Sequence, residues 1–130
     1  MPIPSPCRVL VVDDHPDAAE SLARLIKLSG HASAYLTDPL RAEQMIRDFE
    51  PHVVLLDIAM PGIDGWTLAR RIRAMEGGAG IKLVAVTAFG DADARASSRK
   101  AGFDAHVTKP VEPEVIPAVL AQCFDDQLRL

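Results

Sequence analysis

The chain is short of the devices that hold small or specialised proteins together. Its 130 residues include two cysteines, Cys7 and Cys123, near opposite ends, with no Cys or His at metal-ligand spacing. A disulfide framework and a structural zinc site are therefore excluded as sources of stability, and a reduced, cytoplasmic protein is expected. There is no excess of positive charge: 14 basic against 18 acidic side chains give a net charge of −4, and no long block carries one sign. Direct binding to nucleic acid or to an anionic membrane by bulk charge is excluded on that balance, so any partner is reached by local contacts. Long hydrophobic runs are missing too. The aliphatic stretches Val9 to Val12 and Val53 to Leu56 fall far short of the roughly 20 residues a membrane span needs. The start, MPIPSPCRV, has no basic region followed by an apolar stretch and does not read as a signal peptide. What is present is ordinary: 48% hydrophobic and 25% charged residues, in a chain long enough to bury about two-thirds of its unfolded surface.

Three prolines in residues 1–7 mark a disordered lead, followed by one domain over 8–127 and a tail at 128–130. Compact β-branched and aliphatic runs at Arg8 to Val12, Val53 to Leu56 and Leu83 to Val86 read as strands apolar on both faces, which belong in a buried parallel sheet. Between them the period turns helical, as in Ala18, Leu22, Leu25 and Ile26, then Ala42, Met45, Ile46 and Phe49, then Leu68, Ile72 and Met75. Pro16 and Pro39 suit first helical turns, after caps at Asp14 or His15 and at Thr37 or Asp38; Gly30 and Gly77-Gly78 suit helix ends. The pattern predicts strands at about 8–12, 31–36, 52–57, 81–87 and 104–108, and helices at about 16–29, 39–49, 65–76, 91–101 and 113–126. Pro117 should distort the first turns of the last helix. Strand two is the least apolar and fits an edge. Alternating strands and helices imply an α/β, doubly wound, five-stranded parallel sheet with helices on both faces.

In such a sheet ligands bind beyond the carboxyl ends of the strands, and four of those ends carry reactive side chains: Asp13-Asp14, Asp57, Thr87 and Lys109-Pro110. With strand order 2-1-3-4-5 they converge on one rim. Carboxylates forced together are relieved by a hard divalent cation, and Mg²⁺ suits this set better than caged Ca²⁺. Lysine and a threonine hydroxyl both suit phosphoryl oxygens, and a carboxylate can itself be the nucleophile. Asp57, centrally placed, is the candidate. Asp14 alone could equally be a helix cap, and a lone Thr or Lys is usually solvated; the joint placement on four strand ends carries the inference.

These residues resemble the receiver domain of two-component response regulators, from RVLVVDDHPD at 8–17, through VVLLDIAMPGIDGW at 53–66 and KLVAVTAFG at 82–90, to AGFDAHVTKP at 101–110. The resemblance spans nearly the whole chain and implies the flavodoxin-like fold, whose order 2-1-3-4-5 is already known for that family. It implies that Asp57 is the phosphoacceptor, Asp14 a direct Mg²⁺ ligand, Asp13 a ligand through water and Ala59 a ligand through its backbone carbonyl. Thr87 would be the switch hydroxyl, Ala88 the small neighbour that leaves the acyl phosphate accessible, and Lys109 the phosphate-binding cation, with a cis peptide before Pro110. The phosphoryl donor would be a histidine kinase or phosphotransfer protein; the downstream protein partner is left open. No output domain is read in the chain. A relay intermediate and a receiver cut from a hybrid histidine kinase are the other readings within the family.

One position departs from the pattern. Receivers usually carry Tyr or Phe three residues before the lysine, and this chain has His106. It is either a polar switch side chain with its own pH response or a partly exposed edge-strand residue that is tolerated. His15, His31 and His52 read as solvated, and Arg70, Arg71 and Arg73 as a wet helix face. Ala59 and Phe89, flanking the site, cannot hold a hydrolytic water, which implies slow autodephosphorylation. A haloacid-dehalogenase-like phosphatase would need an acid where Ala59 stands. A flavin binder would need a Ser/Thr/Gly-rich loop where Asp13-Asp14-His15-Pro16-Asp17 stands. A pseudo-receiver would not keep the acidic site. A switch rather than a turnover enzyme is expected.

Overall fold

Apolar side chains on both faces leave the central strands no exposed side: in β3 (Val53–Asp57) every residue is buried. The computed structural model describes residues 3–88 and 92–125. Around β3 stand β1 (Arg8–Val12), β2 (Ala32–Leu36), β4 (Lys82–Thr87) and β5 (Ala105–Thr108), all parallel, in the order β2-β1-β3-β4-β5. They alternate with α1 (Pro16–Leu28), α2 (Ala42–Phe49), α3 (Gly65–Ala74), α4 (Ala92–Ala101) and α5 (Val115–Phe124). Alternation along each strand divides the core in two. Val9, Val11, Val53, Leu55, Val84 and Val86 pack with Leu22 and Ile26 of α1 and Ile116 and Leu120 of α5. Leu10, Val12, Val54, Leu56, Leu83 and Ala85 pack with Ile46 of α2 and Leu68 and Ile72 of α3. Each large aliphatic side chain so buried contributes about 1.5–3 kcal/mol. β2 is an edge strand, half-buried along most of its length. None of the helices is long and apolar enough to cross a membrane among the described residues.

Local chemistry explains where the elements begin. Pro16 opens α1 after His15, so the cap falls on His15 and not on Asp14. Asp38 accepts the Leu40 N–H at 3.1 Å and opens a 3₁₀ turn at Pro39–Arg41, which delays α2 to Ala42. Pro117 does not distort α5 in the way its position within 113–126 implies. The helix starts two residues later, at Val115, so the proline falls in the first turn, where its missing N–H has no intrahelical acceptor to lose.

Three expectations are corrected by burial. Cys7, assigned to the disordered lead, is fully buried among α1 and α5 side chains, and its carbonyl accepts the Ala32 N–H. Arg73 does not lie on a wet face: its half-buried guanidinium donates five hydrogen bonds, to the carbonyls of Gly78, Ile81 and Gly102 and to Asp104 Oδ2. His31 and His52 are not simply solvated either. His31 Nδ1 accepts the Cys7 N–H at 3.2 Å and His52 Nδ1 accepts the Arg8 N–H at 2.9 Å, so the two imidazoles cap the entry to β1.

An acceptor role requires neutral imidazole. Burial first, and then the Arg8 charge, lowers the His52 pKa below its ordinary value. A base with a lowered folded-state pKa contributes stability that is present above the unfolded value of about 6.5 and is lost as pH falls through the folded one. Unfolding midpoints measured from about pH 7.5 down to about pH 5 should therefore drop more steeply for the parent than for His52→Asn, whose Oδ1 keeps the acceptor without titrating. Parallel profiles would remove His52 from the acid response.

Candidate functional site

β1, β3, β4 and β5 end side by side, and the register sets which side chains meet. Asp57 closes β3 with its Cα paired to Val86, and the Ile58 N–H continues to the Val86 carbonyl at 3.1 Å. One strand over, the Lys109 N–H reaches the Thr87 carbonyl at 2.8 Å, tying the residue after β5 to the end of β4. The result is a polar rim on an apolar sheet. Asp13, Asp57 and Thr87 are buried, at 4%, 4% and 2% exposure, and Asp14 is half-buried. Lys109 Nζ lies 3.3 Å from Asp57 Oδ2 and 3.4 Å from Asp13 Oδ2. The peptide before Pro110 is cis.

The electrostatics follow from crowding anions in a poorly solvated place. Burial raises the Asp57 pKa above the ordinary carboxylate range; Lys109 and the Ala59 N–H, donated to Asp57 Oδ1 at 3.1 Å, oppose it without cancelling it, and Asp13 adds repulsion. Burial alone would lower the Lys109 pKa, but Asp13 and Asp57 together hold its ammonium above the usual lysine value. One cation thus serves two buried carboxylates. Asp14 Oδ1 is a buried oxygen without a hydrogen bond. Asp13, Asp14, His15 and Asp57 can each offer one donor atom such that all lie within 4.8 Å of one another. Three carboxylates, one oxygen lacking a donor and a surplus of negative charge fit a hard divalent ion.

Ala59 and Ala88 are exposed beside the strand ends, leaving small side chains at the rim. His106 is 8% exposed, with its Cα opposite Ala85, so the reading of a partly exposed side chain is set aside although β5 is an edge strand. Phe89 lies outside the described residues. An apolar cleft of about 460 Å³ opens beside Asp13 and Lys109, walled by Ala18, Leu22, Leu25, Pro110 and Val111.

Two residues escaped the sequence reading. His15 does not face water alone: its Nδ1 is 3.3 Å from both Asp13 Oδ1 and Asp14 Oδ1. Its place directly after the acidic pair was the available signal. Gly65 starts α3 behind Asp64, whose Oδ1 accepts the Thr67 N–H at 2.7 Å. A Cβ on Gly65 would lie 2.6 Å from Ile58 Cα and 2.7 Å from the Asp57 carbonyl oxygen, and neither backbone atom can swing aside. Gly65→Ala should cost about 1–3 kcal/mol by forcing α3 from the end of β3. Urea denaturation measures this directly, and an unchanged midpoint would show that the helix relaxes freely.

Comparison with known proteins agrees with this geometry. Residues 9–121 match the response regulator receiver domain family. An uncharacterised 14.6 kDa protein of Leptolyngbya boryana is 31% identical over 117 residues, covering 89% of each chain. The DNA-binding response regulator MtrA of Mycolicibacterium smegmatis is 34% identical over 85% of this chain, which spans only 47% of that regulator. Among solved structures, a CheY-like receiver domain protein from Methanospirillum hungatei superposes with a TM-score of 0.77 at 25% identity, covering 90% of this chain and 95% of that one. Vibrio cholerae CheY4 shares the fold with a TM-score of 0.85 at 18% identity, over 91% and 98% of the two chains. By its sequence over residues 9–121 and by the parallel sheet that carries its acidic rim, the chain belongs to the response regulator receiver domain family.

Proposed function

We propose that the chain is a phosphoacceptor switch in which Asp57 takes a phosphoryl group from the phosphohistidine of a histidine kinase or phosphotransfer protein. The observation that carries this reading is the placement of Lys109 Nζ between the buried carboxylates of Asp13 and Asp57, beside Asp14. Asp13, Asp14 and Asp57 would hold Mg²⁺, with the Ala59 carbonyl, and the ion when bound supplies charge compensation for phosphoryl oxygens. An Asp57 carboxylate oxygen attacks phosphorus, the O–P bond forms as the donor's N–P bond breaks, and the donor imidazole leaves. Lys109, already within reach of Asp57, neutralises a phosphoryl oxygen at its new position. Thr87, at the end of the neighbouring strand, donates its hydroxyl to another, and Ala88 leaves room for the group. The apolar cleft beside Asp13 and Lys109 offers the donor a surface next to the reacting atoms.

The same reading assigns the chain one turnover per phosphorylation and not enzymatic cycling, because Ala59 supplies no acid or base to drive hydrolysis. Decay of the acyl phosphate is slow for that reason. His106, buried on β5, is the side chain that couples Thr87 to the surface near α4 and α5, where a protein partner reads the state. Incubation with acetyl phosphate and Mg²⁺, followed by intact-mass analysis, tests the proposal. Gain of one hydroxylamine-labile phosphoryl group that requires the metal is expected; no gain from either acetyl phosphate or a phosphohistidine donor would overturn it.

A further inference from the structure

His15 is the one member of the donor cluster to which the proposed phosphoryl chemistry gives no task. Its backbone N–H donates to Asp13 Oδ1 at 3.0 Å, and its backbone is extended, at φ −92° and ψ 110°, just before Pro16 opens α1. The residue is therefore fixed at the rim by its own main chain and by the helix that follows. Its ring turns Nδ1 toward the acidic pair, 3.3 Å from an oxygen of Asp13 and 3.3 Å from the Asp14 oxygen that has no hydrogen bond. One donor atom from each of Asp13, Asp14, His15 and Asp57 falls within 4.8 Å of the others. Opposite ligands of one ion at bonds of about 2.1 Å stand about 4.2 Å apart, so small side-chain rotations bring the four donors onto a single ion.

We propose that His15 Nδ1 is a nitrogen donor to the divalent ion of this site and biases it toward borderline transition ions such as Co²⁺, Ni²⁺ and Zn²⁺ over Mg²⁺. The inference deepens the proposed function, since it rests on the same metal site. Carboxylates alone favour Mg²⁺, Ca²⁺ and Mn²⁺, whereas imidazole strongly favours the later first-row ions. Without an ion Nδ1 meets these carboxylate oxygens only as an N–H donor; a cation between them would take the lone pair of the other tautomer, with the proton on Nε2, and at 69% exposure the ring leaves Nε2 open to water. A ring that only donates a hydrogen bond to Asp13 would confer no such preference, and glutamine can replace that donor.

The test is calorimetric titration of the full chain with Mg²⁺ and with Co²⁺, for the parent, His15→Gln and Asp14→Asn, together with pulsed electron paramagnetic resonance of the Mn²⁺-loaded forms. In His15→Gln the preference for Co²⁺ over Mg²⁺ should fall by about tenfold, and the imidazole nitrogen coupling to Mn²⁺ seen in the parent should vanish. A preference unchanged within about twofold, or a parent without nitrogen coupling, overturns the role of His15. If the parent binds no Mg²⁺, or Asp14→Asn binds it undiminished, the metal site of the proposed function fails and this inference fails with it. Mg²⁺ binding that depends on Asp14 but a preference indifferent to His15 sinks the inference alone.

Discussion

Asp57→Asn is expected to abolish phosphoryl uptake while leaving the fold in place. The amide is nearly isosteric, and its oxygen can still accept the Ala59 N–H that now reaches Asp57 Oδ1 at 3.1 Å. It offers no carboxylate nucleophile, so the loss should be complete rather than graded. Intact mass after acetyl phosphate treatment reads the outcome, and an undiminished gain in the variant would move the acceptor to another residue. Stability should move in the opposite sense. Because burial raises the Asp57 pKa, the folded state binds a proton more tightly than the unfolded chain, so ionisation costs stability that returns as pH falls toward the folded pKa. The neutral amide carries no such cost. Thermal melts of the metal-free proteins should show Asp57→Asn at least as stable as the parent near neutral pH, with the gap narrowing in acid.

Removal of the Arg73 guanidinium is expected to give the largest loss of stability. The side chain links the end of α3 to the Gly78 turn, the approach to β4 and the α4-β5 connection through hydrogen bonds to Gly78, Ile81, Gly102 and Asp104. Asp104 Oδ2 in turn accepts the Leu83 N–H at 2.9 Å, at the second residue of β4. Arg73→Met would take the guanidinium from three carbonyls and a largely buried carboxylate, of which the carboxylate keeps only the Leu83 N–H and the Gly78 carbonyl only the long bond from Ile81 N–H, at a cost of about 2–4 kcal/mol, somewhat below that of a fully buried pair because both side chains keep some solvent contact. Asp104→Asn in the Arg73→Met background should recover part of it, because the stranded charge is then gone. Chemical denaturation of the two single variants and the double variant gives the coupling directly. Additive losses would show that Arg73 acts through the carbonyls alone.

The outline of the molecule could be read from the chain because burial on both faces and helical periodicity leave strong, local marks. Val53 to Leu56 announces a central strand as plainly as Ala42, Met45 and Ile46 announce a helix face. Asp13, Asp14, Asp57, Thr87 and Lys109 were legible for a related reason: each follows an apolar run, and parallel topology places such positions on one rim. What escaped depends on distances that no run of residues encodes. Arg73 lies 31 positions from Asp104, and His52 lies 44 from Arg8; in sequence each is a lone polar residue, and only tertiary contact makes it a clamp or a cap. The start of α5 escaped by a different route, since Pro117 fits either a distorted longer helix or the first turn of a shorter one.

The chain carries one tryptophan, and Trp66 of α3 directs its indole N–H to Ser98 Oγ of α4 at 3.3 Å, with Ser98 fully buried. The protein's tryptophan emission therefore originates at the seam between two helices. A shift of α4 against α3 breaks or bends that hydrogen bond and changes how much water the indole meets, which alters the wavelength and yield of its emission. Repositioning of α4 is thus open to optical detection in the unlabelled protein, in real time, without a partner or an attached dye.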